Sequence, residues 1–332
     1  MADLPARPNL EQLRHQAKDL LHATQSGDAA ALESIGAVSD RVTLAAAQLA
    51  VARGYGFPSW TALKREVERR EILDDGDVGR LTALLAEDPA SAATRMEHWC
   101  DHPLGASPLS YVAMLRYDTA ASVWRDVPAA GQMARALIDA GAPVDGQPGD
   151  RETPLITAAS YGDAEVARVL IEAGADVDAR AADDSGGVPG GTALLHAAVF
   201  GMTDVVDALV DAGAQVRGIE EAAAAGDLGD WLADAPADAR VRALVMAADH
   251  QRLDVIDQLV AAGTPVDATD EAFGGHPLRA AAANARPESV RRLLAHGADP
   301  NLRDAQGRTP LDLCRLGDDG PERREVEAIL SG

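Results

Sequence analysis

Residues Thr153–Val177 read TPLITAASYGDAEVARVLIEAGADV, and this stretch decides the fold. Thr153 is a good N-cap, because its hydroxyl accepts a bond from a free backbone N–H of the first turn. Pro154 suits the first helical position, where no donor is needed. Ala158 and Ala159 are small enough to let neighbouring helices approach closely. Gly162 then ends the first helix, since glycine enters the left-handed region without a Cβ penalty. Val166, Val169 and Leu170 return at helical spacing and give a second helix an apolar stripe. Gly174 closes it. The clause therefore specifies two short helices back to back.

The clause recurs. Paired small residues fall at Val112-Ala113, Ala158-Ala159, Ala197-Ala198, Ala247-Ala248 and Ala281-Ala282. Closing glycines fall at Gly141, Gly174, Gly213, Gly263 and Gly297, with steps of 33, 39, 50 and 34 residues. Thr192 with Leu194, Thr309-Pro310-Leu311 and Ser107-Pro108-Leu109 repeat the helix start. The longest step hides an extra, shortened helix pair from Ile219 to Ala233, whose Ala222-Ala223 and Gly226 compress the clause.

On these residues the chain resembles the ankyrin repeat family, whose period is about 33 residues. The resemblance covers roughly residues 72–332 and implies an all-α solenoid of stacked helix–turn–helix units. The family's histidine after Thr-Pro-Leu is missing: Ser110, Ile156, Leu195, Val245, Arg279 and Asp312 hold that slot. Arg242 and His276 replace the threonine in two copies, so weaker local hydrogen bonding is expected there.

Residues 1–70 do not follow the repeat and read as a helical cap, which a solenoid end needs. Leu10, Leu13, Ala17, Leu20 and Leu21 mark one helix capped by Asn9. Further helices are expected over Thr43–Arg53 and from Thr61 to about Arg70, with Ser59 as a cap. Tyr55, Phe57 and Trp60 read as a hydrophobic plug between them. The pattern is similar to a leader found ahead of ankyrin repeats in some bacterial proteins, and the 28 Arg against 2 Lys fit a GC-rich genome. Residues 71–332 are then the solenoid, with a degenerate first repeat, an insertion at 114–130 and the shortened unit at 219–233.

The 332 residues carry a formal charge of −23 at pH 7, with 53 Asp and Glu against 30 Lys and Arg. Such a surface repels phosphate backbones and anionic membranes, so neither nucleic acid nor membrane is an expected partner. A basic protein is favoured instead. Cys100 and Cys314 stand far apart and form no disulfide framework. No basic segment with an apolar run opens the sequence, which points to a cytoplasmic protein.

Chemistry is harder to find. His98, Cys100, Asp101 and His102 are metal-ligand types, but the spacing is too tight for all to converge and no second pair follows. No metal and no cofactor is expected. The Asp183–Gly191 stretch is rich in glycine yet lacks the Gly-Lys-Ser/Thr ending of a phosphate loop, and reads as an enlarged hairpin between units. Asp270–Gly275 is a similar loop with Phe273 at its tip. There is no convincing nucleophile–base pair, so an enzyme is unsupported.

Binding is the better-supported expectation. The chain has only 11 aromatics, and Tyr111, Tyr117 and Trp124 fall in or beside the 114–130 insertion, with Arg116 and Arg125. Tyr161 and Phe200 share one repeat position, just before the first-helix glycine; His250 lies near it and His196 faces the same way. Two readings follow. One is a scaffold that grips a protein partner by its concave groove and loop tips. The other is a small-molecule site beneath the insertion, with the arginines at its rim.

Overall fold

The computed structural model describes residues 4–5, 8–96, 106–118, 123–270, 275–317 and 319–332. Glu97–His102, Phe273 and residues 119–122 of the insertion lie outside this set. The chain divides into two compact units, Met1–Asp150 and Arg151–Gly332. Residues 71–150 thus group with the N-terminal helices, and residue 70 lies inside a continuous helix.

The first unit begins with α1 (Leu10–Gln25), α2 (Ala29–Gly36), α3 (Leu44–Gly54) and α4 (Trp60–Asp74). Each starts on a side-chain cap: Asn9, Asp28, Thr43 and Ser59 accept from backbone N–H groups of the first turn. Helix α2 is not among the sequence expectations. Its apolar content is only Leu32 and Ile35 with alanines, too little for a visible stripe, yet Ile35 is buried against Ala46 and Ala47 of α3. Phe57 is buried with Leu4, Leu13, Ala52, Leu63 and Val67, and Tyr55 and Trp60 pack on the same cluster, forming the expected plug.

Helix α4 also carries a buried charge group. The Glu66 carboxylate accepts from Arg69 and, at 2.9 Å, from Arg70 Nε. Arg69 further donates to the carbonyls of Ser91 and Thr94, which ties α4 to the turn after the next helix. That helix is α5 (Val78–Glu87), followed by a 3₁₀ turn Pro89–Ala92. Then come α6 (Pro108–Met114), a two-stranded hairpin of β1 (Tyr117–Asp118) and β2 (Val123–Trp124), and α7 (Ala130–Asp139).

The second unit is a stack of helix pairs: α8 (Pro154–Tyr161) with α9 (Ala164–Glu172), and α10 (Ala193–Val199) with α11 (Thr203–Asp211). Next come α12 (Ile219–Ala225) with a 3₁₀ turn Gly229–Leu232, then α13 (Ala237–Asp249) with α14 (Leu253–Ala261). The last pairs are α15 (Pro277–Ala283) with α16 (Pro287–Ala295), and α17 (Pro310–Cys314) with α18 (Pro321–Ser331). First helices contact one another in order from α8 to α17, and second helices pair as α9 with α11 and α14 with α16 with α18. The paired alanines at 158–159, 197–198, 247–248 and 281–282 are buried at this seam, where a larger side chain would push the helices apart.

Two departures from the repeat have local causes. His276 replaces the threonine and still caps: its Nδ1 accepts from Arg279 N–H, but at 3.4 Å. Arg242 caps nothing, because α13 starts five residues earlier at Ala237. The extra turn is stabilised by Arg242 itself, which pairs back to Asp238 at 3.0 Å and across to Glu220 at 2.8 Å. In the pairs from α8 to α15 the turn after the first helix is left-handed, at Gly162, Gly201 and Gly226, and Gln251 and Ala285 take the same conformation with φ of 55° and 54°.

Candidate partner-binding surface

In the first unit the insertion gathers four of the expected residues. The hairpin places Tyr117 opposite Trp124, with ring centroids 5.1 Å apart. The Arg125 N–H bonds to the Arg116 carbonyl at 2.8 Å, and Arg125 Nε donates to the Leu115 carbonyl at 2.6 Å. Trp124 remains 49% exposed beside an exposed Val123, and its ring meets that of Tyr117 at a tilt of 56°.

Tyr111 is different. It is buried in α6 and its hydroxyl donates to Asp74. Burial, and then the Asp74 charge, pushes its pKa far above the ordinary tyrosine range. It locks α6 to α4 and offers no surface to a partner. A cleft of about 260 Å³ nearby is lined by Pro8, Arg70, Glu71, Asp74, Asp75 and Arg125. Of the residues expected to form an aromatic pocket, only Arg125 lines this cleft, and the wall is mostly charged. That is poor material for a small-molecule site, which usually has apolar walls with few polar groups.

The second unit holds Tyr161, His196, Phe200 and His250. Tyr161 ends α8 and is half-buried, while Phe200 sits just past the end of α10 and is 39% exposed. These two are offered at the same turn of successive pairs. His196 and His250 are not offered at all, being fully buried. His196 Nε2–H donates to the Val188 carbonyl at 3.0 Å, so its Nδ1 accepts from the Ser160 hydroxyl at 2.8 Å. His250 repeats the arrangement with the Ala198 carbonyl at 2.9 Å and the Thr203 hydroxyl at 3.0 Å. Burial lowers both pKa values, that of His250 to about 4, so both rings are neutral near pH 7. They are struts between units, and the expectation that they face a partner is corrected by their burial.

His196 also explains the glycine-rich stretch. Arg180 and Thr192 bridge antiparallel at its base, giving the expected enlarged hairpin. A Cβ on Gly187 would stand 2.8 Å from the His196 ring, so glycine is needed for the loop to fold over the imidazole. The hydroxyl–imidazole pair Ser160–His196 escaped the sequence reading, which found no such pair. Its ring is closed off by Val188, and it makes a strut.

The residue most plainly missed is Trp231, in the 3₁₀ turn of the shortened unit and 44% exposed. Its signal was available: an aromatic flanked by Asp230 and Asp234, in a segment where the repeat breaks down. Among the described residues no group of three or more His, Cys, Asp or Glu side chains is placed to hold a metal ion. No helix is long and apolar enough to cross a membrane, again among the described residues.

Family models of ankyrin repeats match residues 127–218 and 259–314. No curated protein matches the sequence. Among solved structures, the human ASB11 ankyrin repeat domain is similar at 25% identity, covering 68% of this chain and 98% of that one, with a TM-score of 0.33. The chain contains an ankyrin repeat domain, and its helix pairs and left-handed turns are that family's architecture. Ankyrin repeats are protein–protein interaction modules, which makes this a protein of the binding class.

Proposed function

We propose that this chain is a cytoplasmic scaffold that binds a basic protein partner through the groove side of its first helices and through its loop tips. The observation that carries this is the presentation of aromatics. Phe200 and Tyr161 recur at one turn of successive helix pairs, and the hairpin separately offers Trp124. Exposed aromatics set among polar residues are typical anchors of protein interfaces. The charge of −23 supports a basic partner. The free, buried thiol of Cys314 fits a reducing compartment.

The test is affinity capture of the partner from source cells, followed by titration with the purified partner. Substituting Phe200→Ala or Trp124→Ala is expected to weaken binding about tenfold each, the usual cost of losing an interface anchor. Far-ultraviolet circular dichroism should stay unchanged, because both rings are substantially exposed. Wild-type affinity in both variants would place the interface elsewhere.

A further inference from the structure

The shortened unit leaves an opening in the stack. Where a neighbouring pair has a full second helix of nine residues, as in α11, this unit has only the turn Gly229–Leu232. The chain then runs through Ala235 and Pro236 straight into the early start of α13. Between the start of α12, this turn and the first turns of α13 lies a cavity of about 600 Å³. Its apolar wall is Ile219, Trp231, Ala235, Pro236 and Ala239.

The charges on the same wall are unequal. Glu220, Asp230 and Asp234 line it against one guanidinium, that of Arg242. Arg242 is already engaged by Glu220 at 2.8 Å and Asp238 at 3.0 Å, with Asp270 3.9 Å away. Asp230 and Asp234 make no ion pair among the described residues, and both are exposed. The cavity therefore combines an open indole face with two carboxylates that have no internal cation.

We propose that this cavity receives an arginine side chain from the protein partner. The proposal rests on the protein-binding reading above and adds a site and a chemistry to it. A guanidinium satisfies both halves of the wall: its flat face stacks on an indole, and its fork of N–H groups pairs with carboxylates. An ammonium serves the charges but stacks less well, and a neutral aliphatic group leaves both aspartates unanswered. The charge balance selects the cation, and the indole selects the planar one.

The test uses the full chain and a fluorescein-labelled peptide of alternating arginine and glycine, with citrulline–glycine and lysine–glycine peptides as controls. Fluorescence anisotropy at about 0.15 M salt keeps general acidity screened beyond the first contacts. The arginine peptide should bind more tightly than the lysine peptide, and the citrulline peptide should bind weakest. Trp231→Ala and the double substitution Asp230→Asn with Asp234→Asn should each weaken arginine-peptide binding about tenfold, while Trp231→Phe retains most of it. Equal binding by the citrulline peptide, or unchanged binding in both variants with native circular dichroism, overturns the proposal. So does free arginine amide binding as tightly as the peptide, which would make this a small-molecule site. Full capture of the native partner by Trp231→Ala removes the cavity from the interface and leaves the scaffold reading standing. Loss of partner binding in the Phe200 and Trp124 variants bears on that reading alone.

Discussion

Asp249 and His250 are adjacent, both buried, and respond to pH in opposite senses. Burial pushes the Asp249 carboxyl up to about 6 from an ordinary 3.8, against the lowering effects of the Asn284 bond at 2.7 Å and the Arg286 charge. A raised folded pKa means that the folded state holds the proton more tightly. The associated stability is complete below the unfolded value and is lost as pH rises through about 6. His250 runs the other way: lowered to about 4, its contribution is present above 6.5 and is lost as pH falls through about 4. Asp249→Asn should therefore unfold at higher urea than wild type at pH 7, by about 1–3 kcal/mol. The difference should shrink toward zero near pH 4, and a pH-independent gap would show that the titration of Asp249 is not its source. The left-handed turns give a second residue-scale outcome. Ala285→Gly relieves a φ of 54° and should stabilise the second unit by up to about 1 kcal/mol. Gly201→Ala does the reverse, since its Cβ would stand 2.6 Å from Asp249 Oδ2. Chemical denaturation of the pair checks both signs.

At the scale of elements, the caps and stripes were legible and the inter-element struts were not. Asn9, Thr43, Ser59, Thr153 and Thr309 act as caps because a cap depends on a residue and its own first turn, which are contiguous in sequence. Helix α2 was missed because its burial is supplied by α1 and α3, not by a stripe of its own. The Glu66 group was missed for the same reason: on paper, Glu66, Arg69 and Arg70 read as an ordinary charged face. In the fold Arg70 is fully buried, and Glu66 and Arg69 nearly so. Glu66→Ala should cost the first unit about 3–5 kcal/mol, because it removes the buried carboxylate that Arg69 and Arg70 share. Thermal denaturation followed at the helical signal measures it, and a loss under about 1 kcal/mol would mean that water reaches the pair.

For the whole molecule, charge and repeat count act together. An excess of 23 negative charges over a chain of stacked short helices makes encounter with a basic partner fast and salt-sensitive. Raising salt from about 0.05 to 0.5 M should lower the association rate about tenfold or more while changing dissociation little. Stopped-flow or surface-plasmon kinetics with the captured partner decides this, and a salt-independent on-rate would argue against a basic partner. The sequence by itself determined the repeat, most of its helix caps and its glycine turns, because these follow from near-neighbour backbone chemistry. It also marked the insertion and the shortened unit as the departures. Only the tertiary structure decided which aromatics and histidines stay outside. Tyr111, His196 and His250 lie buried as ties to neighbouring elements, whereas Trp124, Phe200 and Trp231 keep an open face. Those outcomes depend on what each neighbouring element leaves uncovered, and coverage is set by residues distant in the chain.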